Sequence, residues 1–497
     1  MVLCMRIIAT TLLLVVAFAL PAIAQSKNSV SIGMRLEPSP GLDPTTGAAA
    51  AISQVTMYNI FESLTRIDET GKVGPMLANS WTISDDGLTY QFHLVPGATF
   101  HDGTDFDSSD VQFNVERNSG TKSKNKLKAV FSNIARVETP SPATVILTLK
   151  APSAVFAIQM AQAPAAMVAP ESAESNATNP IGTGPYRFIE WIPGDSVRLE
   201  KFAAHRNAAN VQIELATFRF INDAAAQAAA LLAGDLDYMP NLSAPEMFSQ
   251  FESDPNFTAL KGTTEGETIL AINNLAGPLA DVRVRRALMH AIDRQGVIDA
   301  ANAGYGTPIG SHFAPHQPAY LDLTNVYPYD PDKARALLRE AGYADGLNLS
   351  LRLPPPTYAR RGGEVIAAML AEVGIIAKIE NIEWGQWLEQ VFTKKQFDLT
   401  VISHVEPLDL DRYENPNYYW QYDSAEFRTI MENFRQATTV AEQTEYLQQA
   451  QRKLTEDAVN GFIFEGPKLG VARKGLNGMW ASWPDFINEI AAMSWAP

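Results

Sequence analysis

Short strands and punctuated amphipathic helices follow one another along this 497-residue chain, with no proline- or glycine-rich linker between them. That interleaving constrains the fold more than any single motif, because each strand must find its partners across intervening helices. VSIGMRL (residues 30–36) and TVILTL (144–149) alternate apolar and polar positions, and LTYQFHL (88–94) follows an Asp86-Gly87 turn signal. Asp330 can cap a helix with Pro331 in its first turn, Leu337 and Leu338 on its apolar face and Gly342 at its stop. The same grammar begins at Asp281, where Val284, Leu288 and Ile292 form one stripe. Residues 364–373 read as a helix ended by Gly374, residues 375–384 as a return to strand, and residues 425–457 as two helices broken at 438–440. The expectation is an α/β protein with mixed sheets, and the length argues for more than one domain. No repeat of solenoid or propeller period is visible.

The amino terminus sets an address. Arg6 precedes an apolar run over residues 7–20, and Pro21, Ala22 and Ala24 stand before Gln25. This is signal-peptide grammar, with cleavage expected after Ala24. The run is shorter than a membrane-spanning helix requires. Cys4 is the one cysteine and would leave with the leader, so the mature chain is expected to carry no thiol and no lipid-attachment cysteine at position 25. A soluble, periplasmic protein of a Gram-negative cell is the resulting expectation. A net charge of −16 opposes the basic face that phosphate neutralisation needs, which excludes nucleic acid as a partner.

NIFESLTRIDETGKVGPMLANSWTISDDGLTYQFHLVPGATFHDGTDFDSSDV (59–111) resembles the family 5 solute-binding proteins, the peptide, nickel and opine receptors of ABC importers. The resemblance continues in order through NPIGTGPYRFIEWIPGDSVRLEKF (179–202), INDAAAQAAALLAGDLDYM (221–239), LAINNLAGPLADVRVRRALMHAIDRQGVID (270–299) and YDPDKARALLREAGY (329–343). It implies a two-lobed periplasmic-binding-protein fold of class II that closes on a hinge. Lobe one would comprise residues 25–68, 179–267 and 470–497, the inserted subdomain residues 69–178, and lobe two residues 268–469, with hinge crossings near Thr268 and Leu469. The implied role is capture of a short peptide or peptide-like solute and its delivery to permease subunits in the inner membrane. A monomer, no enzyme activity and no cofactor go with that role.

The same resemblance points to candidate ligand contacts. PPPTYARRGGEVIAAMLAEVGII (354–376) is similar to the dipeptide-receptor segment in which an arginine at a helix start takes the peptide carboxylate, so Arg360 or Arg361 is the candidate. A planar guanidinium can bond both carboxylate oxygens at once. In EWGQW (383–387), Trp384 is a candidate cleft wall, while Trp387 reads as core. FDLTVISHVEPLDLDRYENPNYYWQYDS (397–424) departs from the family: His404 stands where an aromatic residue is usual, and the acidic anchor for a ligand ammonium is Glu406 or Asp409. Tyr418, Tyr419 and Trp420 follow as wall material. If they lie on a strand, either Tyr419 alone or Tyr418 with Trp420 can face one pocket.

Other chemistries have weaker support. His312 and His316 are four apart, but Pro315 between them opposes a helix presenting both, and no metal ligand is assigned. GTGPY (182–186) lacks the third glycine of a dinucleotide loop, and its glycines are expected to permit unusual backbone angles. FHDG (100–103) reads as a turn. An opine, an oligosaccharide or chelated nickel remains open as the ligand on the same fold. A secreted hydrolase using Glu406 and Asp409 is the remote alternative, and no nucleophile elbow or zinc-protease helix supports it.

Overall fold

The computed structural model describes residues 27–47, 49–405 and 408–496. The leader expected to end at Ala24, and Glu406, lie outside the described residues. Among the described residues an eleven-stranded mixed sheet runs through the molecule. Its two longest strands, Phe257–Ile272 and Gly461–Arg473, lie side by side and antiparallel in the middle. Beyond Gly461–Arg473 the order is Tyr238–Met239, Ser29–Met34, Leu215–Phe220, Ser196–Lys201 and Tyr186–Ile192; beyond Phe257–Ile272 it is Leu399–His404, Leu347–Leu353 and Ile375–Asn381.

The two central strands change neighbours along their length. Thr258 to Lys261 pair with Ala472 to Leu469, and Ala472 and Val471 also pair with Tyr238–Met239, so this part belongs to the first half of the sheet. Glu267 to Ile272 pair with His404 to Leu399 in the second half. Between these parts the register slips between Thr263 and Glu267, which face Pro467 and Glu465 respectively. Extra residues on one strand of a pair bend it and increase its twist, and here the slip sits where the sheet passes from one half to the other.

Each half has its own apolar core. Ile32, Tyr58, Phe61, Tyr186 and Phe218 pack in one, and Leu270, Val284, Leu288, Leu351, Ile366 and Leu399 in the other. A separate four-stranded antiparallel sheet, ordered Ala78–Ile83, Thr89–Leu94, Thr144–Leu149 and Ile134–Ser141, packs with the helix Ser108–Ser119 around Phe92, Phe131 and Phe156. Among the described residues no helix is long and apolar enough to cross a membrane.

Local punctuation accounts for most helix ends. The Asp330 carboxylate accepts from Lys333 N at 2.9 Å at the head of Pro331–Glu340, and Gly342 follows it with φ +90°. Asp281 caps Val282–Ala291 in the same way, and Val284, Leu288 and Ile292 are all buried. Two boundaries differ from expectation. The helix expected at 364–373 is Thr357–Glu372, because Gly362 and Gly363 are packing positions within it: a Cβ on Gly363 would lie 2.6 Å from the Leu353 side chain. The strand expected at 375–384 ends at Asn381, and Trp384 opens a short helix whose capping box joins Glu383 and Gln386.

The GTGPY segment is structural for a reason other than its backbone angles, since neither Gly182 nor Gly184 has positive φ. Both lie against a neighbouring backbone. A Cβ at Gly182 would stand 2.0 Å from the Ile60 carbonyl oxygen, and one at Gly184 would stand 2.2 Å from that of Asn59. Gly184 N donates to Ile60 O and Tyr186 N to Asn59 O, both at 2.9 Å. FHDG forms the expected turn, with Gly103 at φ +91°, and His101 N donates to Gly182 O. Gly184→Ala is therefore expected to destabilise the fold by about 1–3 kcal/mol through overpacking. Urea unfolding measures it, and an unchanged midpoint would contradict this account.

Candidate functional site

The register slip in the central strands lies beside a cavity of about 130 Å³. Ile67, Ile158 and Pro484 line it from one side, and Glu265, Gln317 and Leu408 from the other. Glu265 is 1% exposed; it accepts from His316 Nε2 at 2.6 Å and from Gln317 Nε2 at 2.7 Å. The other nitrogen of His316 bonds Thr263 Oγ1 at 2.8 Å. A polar chain thus ties the 311–320 loop to the start of the slip.

Beside this chain, Glu267 and Glu465 are direct cross-strand partners and both are buried. Among the described residues neither makes an ion pair, and one oxygen of Glu267 and both of Glu465 lack a hydrogen bond. The amides of Gly266 and Gly466 and the Thr264 hydroxyl lie near Glu465 without reaching good geometry. Burial, then the charges of Glu465, Glu265 and Asp409, hold the Glu267 carboxyl well above the usual range. Burial, then Glu265, does the same for Glu465. Glu265 is also raised, chiefly by burial, although His316 opposes the shift.

A second polar cluster lies at the end of Leu399–His404. Asp409 Oδ1 accepts from His312 Nε2 at 2.7 Å, and its Oδ2 lies 3.2 Å from His404 Nδ1. The outer imidazole nitrogens meet tyrosines: His404 Nε2 lies 2.9 Å from Tyr419 Oη and His312 Nδ1 lies 3.2 Å from Tyr413 Oη. Burial opposes the Asp409 charge, yet His312 and His404 hold its carboxyl far below the usual range. Counting histidines along the chain gave no ligand pair, but folding brings donor atoms of His312, His404 and Asp409 within 4.8 Å of one another.

The other candidates fall into two groups. His404, Asp409, Tyr418, Tyr419 and Trp420 come together. Residues 416–420 form a turn after the helical Asp409–Glu414, so the alternation expected of a strand does not apply. The rings of Tyr418, Tyr419 and Trp420 all lie within 5.1 Å of one another, centroid to centroid. Tyr419 and Trp420 are buried, Trp420 stacked at 4.2 Å on Tyr413, and Tyr418 is half-buried.

Arg360 and Trp384 form the second group, near the start of Thr357–Glu372. Arg360 reaches Glu383 at 3.4 Å, a long contact, and its Nε is buried without a hydrogen bond. Arg361 faces solvent. Tyr358 Oη accepts from Ser403 N at 3.1 Å and so connects this helix start to the strand ending at His404. Trp384 is 43% exposed against Trp387, which is buried and donates to Thr400 Oγ1. Sequence reasoning passed over Glu265, Glu267 and Glu465. The available signal was three glutamates in two strand-forming runs, TEGETILAI and GFIFEGPKLGV, that are otherwise mostly uncharged.

Comparison with known proteins agrees with this architecture. Residues 72–428 match the model of the bacterial extracellular solute-binding proteins, family 5 Middle. The chain is 32% identical over 383 residues to the glutathione-binding protein GsiB of Salmonella typhi, covering 76% of this chain and 74% of that protein. Among solved structures it is similar to HbpA2 from Haemophilus parasuis, at 22% identity, TM-score 0.84 and coverage of 95% and 100% of the two chains. It is also similar to the periplasmic binding protein DppA from Helicobacter pylori in complex with the peptide STSA, at 22% identity, TM-score 0.76 and coverage of 95% and 99%.

Glu267 and Glu465 bind their protons more tightly folded than unfolded. Their ionisation therefore removes stability as pH rises from about 4.5, the ordinary glutamate value, toward their raised folded values. Glu465→Gln is expected to match the parent near that lower pH and to exceed it by on the order of 1–2 kcal/mol near about pH 8. Thermal melts across this range measure the difference, and a pH-independent offset would contradict the assignment.

Proposed function

The chain belongs to family 5 of the bacterial extracellular solute-binding proteins, the receptors of ABC importers, and from that premise we propose that it captures a short peptide or peptide-like solute in the periplasm. It is a binding protein and not an enzyme. It acts as a monomer that hands its ligand to inner-membrane permease subunits. Lobe one is residues 25–68, 179–267 and 470–497, carrying the inserted subdomain 69–178, and lobe two is residues 268–469. They close about the paired strands at the register slip, because a ligand touching both lobes stabilises the closed state.

The observation that carries this reading is the 32% identity to a glutathione-binding protein, and Arg360 and Glu265 are the candidates for the two ends of a zwitterion. Among the described residues Arg360 has an unsatisfied Nε and one long contact, to Glu383, and it takes the ligand carboxylate. Glu265 presents a buried carboxylate at the cavity wall and takes the ammonium, since a carboxylate has about four acceptor sites and two are occupied. Asp409, held by His312 and His404, is absent from the cavity lining, so on this reading it positions the loop. Exposed Trp384 and half-buried Tyr418 supply aromatic wall. The likeness to GsiB, a glutathione-binding protein, supports the same class of solute.

Calorimetry with glutathione and a panel of dipeptides, each also N-acetylated or C-amidated, tests this proposal. Blocking either end, or Arg360→Ala, is expected to weaken binding about 10- to 100-fold, the worth of one charge-assisted hydrogen bond. Arg361→Ala is expected to leave affinity unchanged. Equal binding of blocked and free peptides, or no peptide binding, would overturn the reading.

A further inference from the structure

The His312, His404 and Asp409 cluster is built more completely than the ligand cleft requires. His404 and Asp409 lie five residues apart at the end of Leu399–His404, and His312 is brought to them from 97 residues away in the chain. All three side chains are at least nine-tenths buried, and the only ion-pair contacts Asp409 makes among the described residues are with the two imidazoles. The imidazole planes cross at 74° with centroids 5.2 Å apart, so the rings converge on the carboxylate from different directions.

We propose that these three residues form a site for a single divalent transition-metal ion of the zinc, cobalt or nickel type, which pins the 311–320 loop to the end of Leu399–His404. Two imidazoles and a carboxylate are a donor set that such ions accept, with a fourth position left for water. Metal–donor bonds of about 2.0–2.1 Å in a tetrahedron place donors about 3.3 Å apart. His404 Nδ1 and Asp409 Oδ2 already stand at 3.2 Å, the His312 to Asp409 contact of 2.7 Å must open by about 0.6 Å, and the three donors, now within 4.8 Å of one another, must draw in around the ion.

The surroundings fit an ion as well. A metal-bound histidine needs an acceptor for its other N–H. Tyr419 Oη stands at that nitrogen of His404 and Tyr413 Oη at that of His312, and Tyr413 is itself held by Asn460 Nδ2 at 3.0 Å. An ion would take the lone pairs of the inner nitrogens, with each ring in the tautomer whose outer N–H donates to its tyrosine. The ion would also add positive charge to a region where Glu265 and Glu267 are close enough to interact with Asp409 and where no lysine or arginine is paired with Glu267 or Glu465 among the described residues.

The test uses the mature chain, stripped with chelator and titrated with zinc chloride or cobalt chloride alone. One ion per chain is expected, with a tetrahedral cobalt absorption band and a raised melting temperature. His404→Gln and Asp409→Asn are expected to lose about 10-fold or more in affinity, while His290→Gln on the helix Val282–Ala291 behaves as the parent. Where a variant fails to fold, the parent's stoichiometry and cobalt spectrum decide. Absence of uptake by the parent, uptake only with a chelating small molecule, or binding that survives both cluster variants would each overturn the proposal. Peptide affinity is measured on the chelator-stripped parent, so failure of the metal site leaves the receptor reading standing.

Discussion

Everything in this molecule depends on one pair of strands. Phe257–Ile272 and Gly461–Arg473 are the only covalent and hydrogen-bonded members common to both halves of the large sheet among the described residues. Their backbone pairing is interrupted where the halves meet, between Thr263 and Glu267. A continuous ladder would resist bending, whereas a slip leaves groups unpaired and permits a local change of twist. The same strands therefore join the two halves of the sheet, and the slip is where a bend between them meets least resistance.

The side chains at this junction are costly to bury. Among the described residues Glu267 and Glu465 sit opposite each other without counter-ions, and Lys468, two residues past the bulge glycine Gly466, is buried with the Tyr238 hydroxyl and the Trp480 carbonyl as its hydrogen-bond partners. Burial pushes the Lys468 ammonium down to about 7. Apolar residues of similar volume would usually be as stable or more so. A junction optimised for stability alone would not be built this way. The arrangement suits the proposed capture of a charged solute, for which this junction must stay polar and marginal enough to rearrange.

Much of the fold was legible in the sequence because local signals and global order agree. The Asp330-Pro331 and Asp281 caps, the stripe Val284, Leu288 and Ile292, and the helices broken at 438–440 form as read. Errors arose where packing overrode propensity. Gly362 and Gly363 continue a helix because they allow it to lie against Leu353, and Gly182 and Gly184 are needed for close approach and not for φ. The site was less legible for a different reason. A buried carboxylate such as Glu265 is invisible until its strand is known to be covered, and His312 and Asp409 become partners only through a contact spanning 97 residues. Arg360 and Arg361 could not be separated by sequence because they are adjacent. The helix phase separates them, placing one half-buried and the other in solvent.

Capture of a zwitterionic peptide-like solute beside the acidic junction of the central strands is the function proposed for this chain. Mass spectrometry of the small molecules released on denaturing protein purified from its own cells tests it most directly. The account predicts a short peptide or glutathione-like molecule with a free ammonium and a free carboxylate, at about one per chain. Recovery of a neutral sugar, or of a solute lacking either charge, would contradict it.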